Sequence, residues 1–208
     1  MEMRNGGVRK KVTPLFEQLV IRRWTLRNRI VMPPMVSNQD ITQPEGVRWY
    51  ARRARGGVGL IIVEATSIQR FGIDLTMENL RPLVDAVHDA GALIAIQLFM
   101  TPLGQRVKPA ELTPREIAES LDYTWRAAML CNEAGFDGVE LHGAHGYTLN
   151  RFFSPVQNRR KDEFGGSLEN RRRMAVLMVE AAREGIGDGR LILYRHTPIG
   201  EGYGIAES

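Results

Sequence analysis

Two histidines three residues apart, followed by a tyrosine two further on, stand in the glycine-rich stretch Glu140-Leu141-His142-Gly143-Ala144-His145-Gly146-Tyr147. Two neutral imidazoles can both donate hydrogen bonds to one substrate oxygen. That polarises a conjugated carbonyl and stabilises the enolate charge that develops as hydride adds. Tyr147 is placed to supply a proton. The same residue types also suit a structural pair in a tight turn, or a metal site, because imidazole is a common ligand. No cysteine or carboxylate stands nearby in metal-like spacing to complete a ligand set.

Short runs rich in Val, Ile and Leu alternate with longer segments of helical period, the sign of βα units in a parallel sheet. The pattern predicts strands over Arg29 to Pro34, Gly59 to Glu64, Leu93 to Leu98, Gly138 to Leu141 and Leu191 to His196. Most are nearly continuous apolar runs, as buried parallel strands require. Leu80, Leu83, Val84 and Val87 recur at helical spacing, and Gly91 follows where a left-handed residue would stop the helix. Thr113, Pro114 and Glu116 form a capping box with proline in the first turn, and Gly135 closes that helix. A third helix starts near Ser167 and carries Met174, Leu177, Met178 and Ala181 on one face before Gly185. Cys131 and the helix methionines are expected in the core. The expected fold is α/β, an incomplete (β/α)8 barrel with about five of its eight units, spanning residues 14–208 after a basic lead-in at residues 1–13.

In such barrels the chemistry sits at the carboxyl ends of the strands, and those positions are polar here. They are Pro33-Pro34-Met35-Val36-Ser37, Glu64-Ala65-Thr66, Gln97, the His142 to Tyr147 turn, and Arg195-His196. Gln97 has donors and an acceptor for the edge of a heterocyclic ring, and Arg195 can hold a negative charge. Either residue alone is more often a structural hydrogen-bonder. Their weight comes from converging on one barrel mouth.

The chain has 208 residues, 43% hydrophobic and 25% charged, with a net charge of +4. That is enough apolar material for one sizeable core. Its single cysteine cannot form an internal disulfide, which favours a cytoplasmic setting. No apolar run reaches the roughly 18 residues of a membrane helix, and Met1 to Lys11 lacks the apolar core of a secretory signal. The densest basic cluster, Arg159-Arg160-Lys161 with Arg171-Arg172-Arg173, is interrupted by Asp162, Glu163 and Glu169 and has no aromatic stacking pattern. It reads as a solvated, phosphate-friendly rim and not as a nucleic-acid surface.

The stretch from His142 to Arg173, HGAHGYTLNRFFSPVQNRRKDEFGGSLENRRR, resembles the signature segment of old yellow enzyme and the NADH:flavin oxidoreductases. LRNRIVMPPM (Leu26 to Met35), GVGLIIVEAT (Gly57 to Thr66), IAIQL (Ile94 to Leu98) and AGFDGVELHG (Ala134 to Gly143) agree with that family in the same order. The resemblance covers nearly the whole chain from Pro14 onward. It implies that Pro34, Met35, Val36, Ala65, Gln97 and Arg195 contact FMN. It also implies that His142 and His145 bind the activating group of the substrate and that Tyr147 is the proton donor. The implied cycle takes hydride from NADH or NADPH through the flavin to an activated alkene, the protein supplying orientation and charge stabilisation.

Three departures bear on that expectation. Val36 stands where many members place a threonine or cysteine that tunes the flavin. The histidine-containing continuation after the strand-3 glutamine is replaced by Phe99-Met100-Thr101-Pro102-Leu103-Gly104, as though a substrate loop were deleted, which widens the mouth. Strands six to eight are not in the sequence, and the loops after strands seven and eight commonly grip phosphate. The chain alone is therefore expected to bind FMN poorly, with open sheet edges prone to association as a homo-oligomer or with a complementing chain. An alternative reading is a non-catalytic half-barrel remnant or assembly module. The Met32-Pro33-Pro34-Met35 motif also hints at the larger 2,4-dienoyl-CoA reductase and trimethylamine dehydrogenase group, whose barrels carry further iron–sulfur and nucleotide domains.

Overall fold

A computed structural model describes residues 13–101 and 106–208. The basic residues of the lead-in and Pro102-Leu103-Gly104 of the altered loop lie outside the described residues. A one-turn helix α1 (Thr13–Phe16) leads into an antiparallel hairpin of β1 (Leu19–Ile21) and β2 (Trp24–Leu26). Five parallel strands follow in sequential order: β3 (Val31–Met32), β4 (Leu60–Ser67), β5 (Leu93–Phe99), β6 (Gly138–Gly143) and β7 (Leu191–His196). The crossovers are made by α2 (Pro44–Arg55), α3 (Met77–Asp89), α4 (Pro114–Ala134), the short α5 (Thr148–Phe153) and α6 (Leu168–Ile186). This is the βα order of a (β/α)8 barrel, with an open sheet whose edges among the described residues are β3 and β7.

Side-chain alternation along each strand divides the apolar residues into two layers. Ile61 and Val63 of β4, Ile94, Ile96 and Leu98 of β5, and Val139 and Leu141 of β6 face the helices. There they pack against Leu80, Leu83, Val84 and Val87 of α3 and against Cys131, Met174 and Met178, so the cysteine and these methionines are core as expected. The intervening residues Leu60, Ile62 and Ala95 point to the barrel interior and join Leu26 of the hairpin, with Leu19, Leu93 and Leu193 around them. The hairpin thus plugs the amino-terminal end of the interior and leaves the carboxyl-terminal end for polar side chains.

The caps explain where the helices start and stop. Thr113 Oγ1 accepts from the Glu116 amide at 3.2 Å while Glu116 Oε2 accepts from the Thr113 amide at 2.7 Å, and Gly135 ends α4 at φ 96°. Ser167 caps α6 through the Asn170 amide at 3.2 Å. That helix runs past Gly185, the expected stop, and ends at Gly187 (φ 78°). Gly185 serves packing instead: a Cβ there would meet the Trp125 carbonyl oxygen at 2.2 Å, so its bareness lets α6 close on α4. The first parallel strand is also shorter than expected. Pairing covers only Val31 and Met32, because Pro33 and Pro34 have no amide hydrogen to give to a ladder.

Candidate functional site

Parallel pairing puts Gln97 beside Glu140 and His142 beside Arg195, on neighbouring strands at the carboxyl end of the sheet. Since Glu140 and His142 are two apart on β6, both share the interior face. Gln97, Glu140 and His142 are all buried. The Gln97 side-chain amide donates to Glu140 Oε1 at 2.6 Å. Burial raises the Glu140 carboxyl above its ordinary range, against the opposing pull of Gln97 and Arg195.

Beyond β6 the chain turns sharply. The Tyr147 amide donates to the Ala144 carbonyl at 3.2 Å, and the two central residues, His145 and Gly146, have φ of 61° and 70°, the mark of a type I′ turn. Histidine tolerates the left-handed region better than most residues, and glycine has no penalty there. The Asn150 side chain accepts from the Gly146 amide at 2.8 Å, and the Thr197 hydroxyl accepts from the His145 amide at 3.1 Å. Both ends of the turn are thereby fixed, one to α5 and one to the segment after β7.

The turn brings three expected site residues together. The rings of His142 and His145 are 5.2 Å apart, centre to centre, and those of His142 and Tyr147 5.1 Å, all nearly perpendicular. Phe99 closes the cluster edge-on, 5.5 Å from His142 and 4.7 Å from Tyr147. Arg106 lies over the Tyr147 ring at 5.3 Å. His142 Nδ1 accepts from the Ala144 amide at 3.3 Å, which assigns the neutral tautomer with hydrogen on Nε2. Burial first, then the charges of His145 and Arg195, push the His142 imidazole down to about 4, and burial and Arg195 push His145 down as well. At neutral pH the pair are uncharged donors. His196, which follows Arg195, turns outward, and its Nε2 is buried without a hydrogen-bond partner among the described residues.

The loop after β3 reaches the same end by a different tie. The Ser37 amide donates to the Glu64 carboxylate, and the buried Tyr50 hydroxyl accepts from the Glu64 amide at 3.2 Å. Pro34 is half-buried, and Met35 and Val36 are 63% and 66% exposed on this anchored loop. Ala65 sits in a register shift between Val63 and Thr66, a bulge that re-aims the end of β4. Glu64 and Glu140 stood among the polar strand-end residues of the sequence without a role, and Asn150 and Thr197 were not singled out. Glu140 was within reach, since a period of two from His142 places it on the same face; the Thr197 tie spans 52 residues and leaves no local signal.

The carboxyl end of the parallel βα sheet thus gathers a neutral two-histidine and tyrosine cluster, a buried amide and an arginine. The sequence pattern of the NADH:flavin oxidoreductase / NADH oxidase family, whose cofactor is FMN, matches residues 14–108 and 104–206, and the chain belongs to that family. It is 39% identical over 213 residues to an NADPH dehydrogenase of Geobacillus sp., covering 87% of this chain and 62% of that one. It is 35% identical over 221 residues to an NADH oxidase of Thermoanaerobacter brockii, covering 88% and 34%. Among solved structures it superposes on the old yellow enzyme homologue of Zymomonas mobilis with TM-score 0.75 and 31% identity, over 88% of this chain and 63% of that one. Morphinone reductase in complex with tetrahydroNAD gives TM-score 0.75 and 28% identity, over 91% and 65%. The chain spans about 62–63% of the length of the NADPH dehydrogenases it matches.

Proposed function

We propose that this chain carries the ring-facing and substrate-facing residues of an FMN-dependent oxidoreductase that moves hydride from NADH or NADPH to an activated alkene such as an enone. The observation that carries the reading is the pair His142 and His145, both held neutral, with the His142 tautomer assigned and the rings 5.2 Å apart at a strand end.

The donor set fits the flavin ring. With its nitrogen on Glu140, Gln97 keeps its amide oxygen and one N–H, and Arg195 supplies a fixed positive charge beside them. An acceptor and a donor next to a cation are complementary to a ring edge of imide type that gains negative charge on reduction. Pro34, Met35, Val36 and Ala65 would line the ring. FMN, when bound, supplies the two-electron carrier between nicotinamide and alkene. His142 and His145 donate to the carbonyl or nitro oxygen of the substrate and stabilise the charge that develops there. Tyr147, set on the turn beside them and under Arg106, delivers the proton from its hydroxyl. The setting proposed is cytoplasmic, and no described helix is long and apolar enough to cross a membrane.

Phenols test the anion site directly. With FMN in saturating excess, titrating a phenol is expected to give a long-wavelength charge-transfer band that disappears in the His142→Ala, His145→Ala double variant. An undiminished band in that variant would refute the assignment.

A second reading, assembly of this half-barrel with a further copy or a complementing chain, is favoured by one observation. A groove of about 570 Å³ runs along the outer side of the β7 edge, walled by Phe153, Val176, Val179, Tyr194 and His196. A concentration-dependent change of molecular mass in sedimentation equilibrium would support this reading, and a strictly monomeric chain would oppose it.

A further inference from the structure

Glu140 is a buried carboxyl in the barrel interior that the chemistry above does not use. Among the described residues its hydrogen-bond partner is the Gln97 side-chain amide, at 2.6 Å, and the charge that acts on it is that of Arg195 on the next strand. An ionised carboxylate only accepts hydrogen bonds, so the Gln97 amide must turn its nitrogen toward Glu140. A protonated carboxyl could equally donate to the amide oxygen and would leave the orientation of Gln97 undecided.

We infer that Glu140 is a positioning residue: its carboxylate fixes the Gln97 amide so that the oxygen and one N–H remain for an imide-type ring edge, and its charge tempers that of Arg195. The ring-edge part rests on the functional reading above, whereas the orientation of the amide does not. Charge-assisted bonds of this length are about twice as strong as neutral ones, which suits the task of holding a side chain in one of two near-isosteric orientations. The groups facing Glu140 are few. Gln97 lies on β5 and Arg195 on β7. His142, the next inward residue of β6, is uncharged at neutral pH, and Glu64 of β4 is engaged by Ser37 and Tyr50. Burial favours the protonated form of Glu140 and Arg195 favours the ionised one, so acidification releases the amide at a pH above the ordinary carboxyl range.

The side-chain amide protons of Gln97 in the full chain without cofactor read this directly by nuclear magnetic resonance. One Nε2 proton is expected well downfield of its partner at neutral pH. It should return to the ordinary position on acidification of the wild type and in Glu140→Gln. Two unshifted Gln97 protons at neutral pH, or a downfield proton that survives both treatments, would overturn the inference. The wild-type titration stands even where the variant does not fold. A second measurement compares affinity for reduced and oxidised FMN. Removing the negative charge beside Arg195 should raise the ratio of reduced to oxidised affinity in Glu140→Gln, and an unchanged ratio would contradict the charge-tempering role. If neither form of FMN binds to wild type or variant, the functional reading fails for this chain while the amide signal still decides whether Glu140 positions Gln97.

Discussion

The His145 amide donates to the Thr197 hydroxyl at 3.1 Å, joining the turn after β6 to the segment after β7 across 52 residues of sequence. One donor of the proposed anion site is therefore held by a different strand end from the one that carries it. Thr197→Val keeps the shape and removes the acceptor. Loss of such a bond costs about 1 kcal/mol, so phenol affinity at the FMN-loaded site should fall by up to roughly five-fold and the thermal midpoint by no more than about 2–4 °C. Titration calorimetry or the charge-transfer band would show it, and an unaltered affinity would mean that the turn holds itself.

Tyr147 caps α5 through its backbone, with no bond from its side chain to that helix, so its hydroxyl can be removed without disturbing the turn. Tyr147→Phe is expected to slow alkene reduction by about 10²-fold or more, the usual range for a lost proton donor. Reduction of bound FMN by NADPH should be unaffected. Stopped-flow traces of the two half-reactions separate these effects, and equal losses in both would place Tyr147 in flavin binding instead.

Gly185 tests the packing of the sheet's outer layer. Its added Cβ would meet backbone atoms of α4, the Trp125 carbonyl at 2.2 Å and the Met129 amide nitrogen at 3.0 Å, which cannot swing away as a side chain can. Gly185→Ala should destabilise the chain by about 1–3 kcal/mol, the usual cost of overpacking, measured as a lower urea midpoint. A gain in stability, as expected for glycine to alanine in an uncrowded helix, would contradict the close crossing.

At the opposite end of the sheet His88 Nε2 meets the buried Asp137 carboxylate at 2.8 Å. The bond to Asp137 holds the imidazole above its ordinary 6.5 in the folded chain. The stabilisation is therefore complete below 6.5 and is lost as pH rises through the folded value. His142 acts oppositely: lowered from 6.5 to about 4, it withdraws stability as pH falls through that interval. Stability should thus decline on both sides of 6.5 from these two groups. His88→Gln should flatten the alkaline limb of a urea-midpoint profile, and an unchanged limb would rule out the ion pair as its source.

Local signals in the sequence accounted for the elements that local chemistry decides. The Thr113–Glu116 box, the Gly135 stop and the apolar runs of β4 to β7 all follow from contacts within a few residues or from strand periodicity. The hairpin Leu19–Ile21 with Trp24–Leu26 was invisible because its turn is Arg22-Arg23, with Arg22 at φ 54°, where a glycine or asparagine would have marked it. Helix α2 was obscured by its four arginines and because its inward stripe, Val47, Tyr50, Ala51 and Ala54, is built of small and polar-tipped residues in place of large aliphatic ones. At the site, His142, His145 and Tyr147 were legible from spacing. The Thr197 acceptor that holds the turn, and the Ser37–Glu64 tie that anchors the loop after β3, depend on which strand ends become neighbours, and that is settled only by the sheet.

The most direct test of the account is a fluorescence titration of the purified 208-residue chain with FMN and, separately, with riboflavin. The proposed ring-facing set, Gln97 and Arg195, would recognise the ring and not the phosphate, so saturable quenching is expected at similar, modest affinity for both ligands, and it should be lost in Arg195→Ala. Absence of saturable quenching with either ligand, or quenching indifferent to the Arg195 substitution, would contradict the claim that these residues form a flavin site.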